Sequence, residues 1–398
     1  MNTEEHRDSP RWDRFRQQMP VSQRWAYFDH AAVAPLSAAA CEAVSDWASD
    51  ATHNGDVNWP SAARRVEAVR PLAAELMGAQ AEEIALVHST TDGLGLVAEG
   101  LDWKAGDNVI AFEGEFPSNL FPWMKLESRG VETRIVATSP TGAVDPRQVE
   151  DACDERTRLI AISWVGYASG WRCDPRAMAQ LAHRRGAFLC LDAIQGLGVF
   201  PLNVQEAGID FLAADGHKWL LGPEGAGLLY VRREHLDRLR PLGVGWNSVV
   251  QAGEFTDPTF TLKPTAARYE GGSHNLLGLL GLGASLKMLS DYPTADIAAR
   301  VLHVGDGICE RVEALGGTVF SDRRAEHASG IVAFEFSGCD LQKLRAYCIR
   351  EGIILSYRGG RLRASPHAYQ NEEDLDRLSA ALEAGIRHKT VRGAGESP

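Results

Sequence analysis

The stretch "AADGHKWLLGPEGAG", Ala213 to Gly227, sets one lysine, Lys218, among apolar and glycine residues. Lysine is costly to bury, so the everyday reading is a surface side chain whose stem covers apolar area. Four other stretches change that reading, because each carries a polar or aromatic group just after an apolar run. Ser89-Thr90-Thr91-Asp92-Gly93 follows "EIALV" and precedes a helix pattern. Its hydroxyls and free N–H groups would form an anion cradle, although alone it is an ordinary N-cap. Phe116 follows "NVIAFEGE" and offers a flat face, or simple core packing. Tyr167 follows "LIAISWVG". Asp192 ends "AFLCLD", with Gln195 three positions on. An unpaired carboxylate there is costly, and helix capping is its plain alternative.

Ligands of open parallel sheets bind beyond the carboxyl ends of the strands. Five such ends supply an anion cradle, an aromatic face, a carboxylate, hydroxyl and amide donors, and an amine. Pyridoxal phosphate needs this set: the cradle for its phosphate, the face for its ring, the carboxylate for its pyridinium nitrogen and the lysine for a Schiff base. Opposite charges near 3 Å attract by roughly 5 kcal/mol at an effective dielectric of 20. A neutral hydrogen bond contributes about 1 kcal/mol. The carboxylate therefore serves the ring's electron demand more than packing.

These ends require a frame. The runs 83–89, 108–114, 157–165, 187–194, 210–215 and 227–232 are apolar on successive residues, as for strands covered on both faces. Helix patterns lie between them, such as 174–186 with Asp174 as N-cap and Gly186 as stop. Alternation of this kind implies a three-layer α/β/α domain with a mainly parallel sheet. After Gly281 a long helix-like segment, about 276–315, gives way to strands at 318–322, 330–336 and 353–358 and a helix from Glu372. The expected organisation is an N-terminal arm (1–30), a large domain (31–280) and a small α+β domain (281–398).

Bulk properties narrow the function. The 398 residues are 44% hydrophobic and 24% charged, ordinary for a globular protein. A net charge of −12 argues against nucleic-acid binding. No apolar run is long enough to cross a membrane, and the charged N-terminus does not read as a signal peptide. Seven scattered cysteines without a C-x-x-C argue against disulfide or metal sites and for a reducing cytoplasm. No G-x-G-x-x-G follows the early strands and no G-K-[ST] follows a Gly-rich loop, which disfavours nucleotide enzymes.

Asp192-x-x-Gln195, His217-Lys218 and "GPEGAGLLYVR" together resemble the class V aminotransferases of PLP-dependent fold type I. These include cysteine desulfurases, selenocysteine lyases, isopenicillin N epimerase-like proteins and kynureninase. The resemblance runs from "YFDHAAVAP" (27–35) to "LRASPHAYQNEEDLDRL" (362–378). It implies Lys218 as the Schiff-base lysine, Asp192 at the pyridine nitrogen and Gln195 at the ring hydroxyl. It implies Thr90, Thr91 and His217 at the phosphate, Phe116 stacked on the ring, Tyr167 beside it, and Arg363 on the substrate carboxylate. It further implies a homodimer with composite active sites, in which Ser273 of "RYEGGSHN" (268–275) reaches the neighbour's phosphate.

Departures from the family pattern shape the expected reaction. Desulfurases carry a catalytic cysteine on a loop before the carboxylate arginine; "ILSYRGGRLRAS" is short there and has none. Cys348 falls in a helix pattern and reads as core. Tyr167 stands where desulfurases often have asparagine. Asp215 replaces a phosphate-binding serine, and its charge should turn it elsewhere, toward His217. The expectation is a lyase or epimerase acting at Cα or Cβ of a small amino acid without a persulfide cysteine. A true aminotransferase, a desulfurase using another cysteine and a non-catalytic PLP-binding partner protein are the alternatives.

Overall fold

A computed structural model describes residues 10–387; the first nine residues of the expected arm and residues 388–398 lie outside them. The strands in chain order begin with β1 (Ala26–Tyr27), β2 (Ile84–Val87), β3 (Asn108–Phe112), β4 (Glu132–Val136) and β5 (Thr157–Ser163). Then come β6 (Phe188–Asp192), β7 (Phe211–Asp215), β8 (Gly227–Val231), β9 (Thr318–Val319) and β10 (Val332–Glu335). The last are β11 (Ile353–Ile354), β12 (Ser356–Arg358) and β13 (Arg361–Ala364).

The main sheet has the order β2-β8-β7-β6-β5-β3-β4. It is parallel from β7 to β4, while β8 runs antiparallel to both β7 and β2. Successive residues point to opposite faces, and both faces are covered. Ile160, Ile162, Leu212 and Ala214 join one core with helices Val69–Met77, Pro175–Arg184 and Leu276–Ser290. Leu159, Ala161, Phe211 and Ala213 join the other, beneath helix Thr90–Gly100. Double coverage explains the unbroken apolar runs of the sequence. Asp174 caps its helix as expected, accepting from Arg176 and Ala177 N–H, and Gly186 takes a positive φ of 72°.

Four strands in the order β12-β13-β10-β9 form a second, antiparallel sheet. A third core joins it to Val304, Ile308, Leu344 and Leu378, and to Ala26 and Phe28 from the far end of the chain. β1 pairs in parallel with β11. Helix Pro10–Gln17 is anchored nearby. Phe15 stacks on Tyr292 at 4.8 Å and Arg16 pairs with Asp374 at 2.5 Å.

Three local expectations are corrected. The segment 276–315 is two helices, Leu276–Ser290 and Thr294–Ala314. Pro293 lacks an N–H and its ring prevents a continuous helix. β4 was not expected, because "ETRIV" is a polar, half-exposed edge strand. β1 is only two residues long, and β13, "RLRA", carries two arginines that hide it.

Candidate active site

Lys218 lies in the connection between β7 and β8. Gly216 N–H bonds Ala226 O at 2.8 Å and Leu221 N–H bonds Lys218 O at 3.0 Å, closing a tight turn. Leu221 has a φ of 57° and is the one non-glycine residue at positive φ among the described residues. That conformation costs about 1 kcal/mol and fixes the lysine's direction. Gln195 bolts the turn from the side. Its Oε1 accepts from Trp219 Nε1 at 2.9 Å, and its Nε2 donates to Ala31 O at 3.0 Å.

A cavity of about 240 Å³ receives the Lys218 side chain. Thr90, Thr91, Phe116, Tyr167, Asp192, Gln195, His217 and Arg363 line it as well. Of the expected site residues only Ser273 is elsewhere. It lines a larger open cavity of about 660 Å³ beside Gly271, Gly272 and His274.

Burial dominates the electrostatics. Lys218 is 8% exposed. Desolvation lowers its pKa to about 8, although Asp192 pulls it back up. Burial raises Asp192 to about 6 against the opposing effects of Ile194 N–H and Lys218. The one hydrogen bond to its carboxylate among the described residues comes from Ile194 N–H, at 3.1 Å. Thus the carboxylate lacks a full set of donors at the end of its strand.

The cradle sits at the start of helix Thr90–Gly100. Ser89 caps that helix by accepting from Asp92 N–H at 3.1 Å, while the first helical N–H groups have no carbonyl a turn earlier. Gly93 lets the helix touch β7: a Cβ there would come within 2.9 Å of Ala213 Cβ. Thr90 Oγ1 accepts from Asp215 N–H at 2.9 Å, and Thr91 Oγ1 donates to Ser118 Oγ at 2.7 Å. Asp215 turns toward His217 as expected, with Oδ2 3.1 Å from Nδ1. The two atoms are close without hydrogen-bond alignment, and Asp215 Oδ1 is buried without a partner.

The opposite wall is aromatic and cationic. Phe116 meets Tyr167 edge-on at 5.3 Å, and Lys218 Nζ lies 5.6 Å from the Phe116 ring centroid. Arg363 is 1% exposed. It donates to Ser356 Oγ, Tyr167 O and Asp29 Oδ1 at 3.1, 2.7 and 3.1 Å. A guanidinium has five N–H donors, so two remain for a carboxylate.

Sequence reasoning missed Ser118, Ser163, Arg358 and Glu115 as members of this site. Ser118, Ser163 and Arg358 line the cavity. Glu115 accepts from both the N–H and the hydroxyl of Ser163. Burial first, and Asp192 in addition, raise its pKa to about 7. Its position directly before Phe116 was the only available signal. His30 and His367 are fully buried in an aromatic core with Trp219 and Tyr369. His274 instead pairs with Glu270 at 2.8 Å. Trp246 and Asn247 lie outside the cavity wall.

The donor set fits pyridoxal phosphate. It combines a buried amine, an under-bonded carboxylate, a hydroxyl-rich helix start and an aromatic face. The fold is that of PLP-dependent enzymes of fold type I. A family model described as aminotransferase class-V matches residues 26–382, and the chain belongs to that family of PLP-dependent enzymes. A "Probable cysteine desulfurase" of Methanothermobacter thermautotrophicus is 29% identical over 390 residues, covering 92% of this chain and 96% of the relative. A cysteine desulfurase of Klebsiella pneumoniae is 32% identical over 401 residues, covering 93% and 97%. Among solved structures, the cysteine desulfurase CsdA from Escherichia coli, in its S-sulfonic acid form, superposes with a TM-score of 0.84 at 26% identity. That superposition covers 95% of this chain and 99% of the other. Among the described residues no helix is long and apolar enough to cross a membrane.

Proposed function

We propose that this chain is a PLP-dependent lyase that removes a β-substituent, sulfur above all, from a small amino acid without lodging it on a protein thiol. The carrying observation is the β12–β13 hairpin. Arg358 and Arg361 are joined through Gly359 and Gly360, at φ 55° and 80°. The resemblance implies a thiol-bearing loop before the carboxylate arginine in desulfurases, and the tight turn before Arg363 supports a reading without one. None of the seven cysteines lines the cavity.

Lys218, Asp192, Gln195, Thr90, Thr91, His217, Phe116 and Tyr167 hold the cofactor in this reading. When bound, pyridoxal phosphate supplies an electron sink for charge developing at Cα. Arg363 orients the substrate through its carboxylate, using its two remaining N–H groups. Lys218 Nζ takes the Cα proton, a task suited to an amine brought down to about 8. The electron pair left at Cα expels the β-substituent, which departs with its bonding electrons. The Asp192 carboxylate would hold the ring nitrogen and keep it protonated. Phe116 cannot donate a proton to the leaving group, which separates this site from one with histidine there.

A homodimer is part of the proposal. Leu242, Val244, Trp246, Val250, Phe255 and Phe260 are exposed within one stretch that leads to Ser273. Such a run of exposed apolar groups is typical of an interface. Ser273 then serves the neighbour's phosphate. The free thiols, including exposed Cys41, suit a reducing cytoplasm.

The test is a panel of amino acids with product analysis and light scattering for mass. Pyruvate and a released sulfur product from cysteine or cystine are expected from a dimer. A keto acid with converted cofactor would replace the lyase by an aminotransferase, and scrambling at Cα by an epimerase. A persulfide on any cysteine would overturn the thiol-free reading.

A further inference from the structure

The cradle contains a substitution that the proposed function leaves unexplained. The family resemblance implies a serine hydroxyl at position 215, and this chain has Asp215, which when ionised can only accept hydrogen bonds. A carboxylate there contributes no donor to a phosphate. Its side chain is instead directed to His217, with Oδ2 3.1 Å from Nδ1.

The hydroxyls nearby are directional. Thr91 Oγ1 donates to Ser118 Oγ at 2.7 Å. The Thr91 proton is thereby engaged, and Ser118 has received one hydrogen bond. The Ser118 O–H itself has no acceptor among the described residues, and Ser118 lines the cavity together with Ser89, Thr90 and His217. A hydroxyl that accepts a hydrogen bond becomes a better donor. Ser118 comes from the short helical turn Pro117–Asn119 that follows Phe116, so the loop carrying the aromatic face also carries this donor.

We propose that Ser118 binds the cofactor phosphate, replacing the donor lost at position 215, with Thr91 acting through it. The donor has moved from the β7 end to the β3 end of the same cradle. Thr91 is then a positioning residue for Ser118, while the Asp215 carboxylate stands beside His217. The inference rests on the pyridoxal phosphate reading of this cavity.

Binding of 4′-deoxypyridoxine 5′-phosphate to the cofactor-stripped full chain tests it, with phosphate-free 4′-deoxypyridoxine as control. Neither compound has an aldehyde, so Lys218 does not interfere. Ser118→Ala should weaken the phosphate ester about tenfold, as for one hydrogen bond to a charged group, and leave the phosphate-free ring unchanged. Thr91→Val should weaken it less, and the double variant should be no worse than Ser118→Ala alone. Asp215→Ser should restore affinity in the Ser118→Ala background. Retention of pyridoxal phosphate by dialysed holoenzyme should follow the same order. Unchanged affinity in Ser118→Ala, equal losses for both compounds, or additive losses in the double variant would overturn the inference. Failure of the native chain to prefer the phosphate ester would instead overturn the cofactor reading beneath it.

Discussion

Asp192 and Asp210 are two buried aspartates of one sheet, at opposite ends of adjoining strands. Asp210, just before β7, accepts from His183 Nε2, His235 Nε2 and Leu189 N–H at 2.8, 2.7 and 2.8 Å. These bonds outweigh burial and hold its pKa below the usual carboxylate range. The Asp192 carboxylate, at the end of β6, accepts among the described residues only from Ile194 N–H and is pushed up to about 6. A carboxylate with all its donors in the fold serves the fold. One left short of donors at a cavity wall is held ready for a ligand.

The sharpest break in this comparison comes from the two ligand-facing groups. Lys218→Ala should abolish turnover, by about 10³-fold or more, and remove the visible absorbance of bound cofactor while circular dichroism stays unchanged. Retained visible absorbance would remove Lys218 from its assigned role. Asp192→Asn exchanges a charge pair for a neutral hydrogen bond, a difference of about 4 kcal/mol or about 10³-fold in kcat. Asp210→Ala should do the reverse. It should cost about 3 kcal/mol in urea unfolding, because it strands buried partners, with specific activity of the folded enzyme retained.

Titration of stability sharpens the contrast. The folded-state values of Asp192 and Glu115, about 6 and about 7, lie above those of exposed carboxyls. Their contribution to stability is present at low pH and lost as pH rises through 6 to 7. Lys218, lowered to about 8, destabilises the cofactor-free chain below that pH, and the penalty is relieved as pH rises from 8 toward the usual lysine range. Asp210 has the opposite sign to Asp192: its contribution is present above the usual carboxylate range and lost on acidification. Cofactor-free Asp192→Asn should therefore be more stable than the native chain at pH 8, on the order of 2 kcal/mol, with no gain at pH 4. An equal change at both values would refute the assignment. The smallest effect is expected at the aromatic face. Phe116→Ala should speed cofactor loss on dialysis about fivefold, consistent with about 1 kcal/mol of ring contact.

Much of the frame was legible because the sheet is covered on both sides. Runs such as "LIAI" and "FLAA" have no polar face and can hardly be anything but buried strands. The cavity residues were legible because each follows such a run directly, so the strand ends that gather Lys218, Asp192 and Thr90 could be guessed together. Ser118 and Arg358 could not. Each is a common polar residue in a loop, and only tertiary contact sets it at the cavity. Two partners of Arg363 were equally hidden, since Asp29 and Tyr167 lie 334 and 196 residues away in sequence. β4 escaped because edge strands carry charges that blur alternation.

The pairing of β1 with β11 has a consequence for how the molecule is made. Ala26 and Tyr27 leave the ribosome 327 residues (353 − 26) before their partners Ile353 and Ile354. At about 5–20 residues per second, that delay is on the order of half a minute. Through that interval Ala26 and Phe28, both wholly buried in the finished protein, have no core to enter. Asp29, which grips Arg363, waits with them. The Arg363 guanidinium is therefore set late, and a nascent chain stalled before residue 353 would have its lysine turn without the Arg363 side of the cavity.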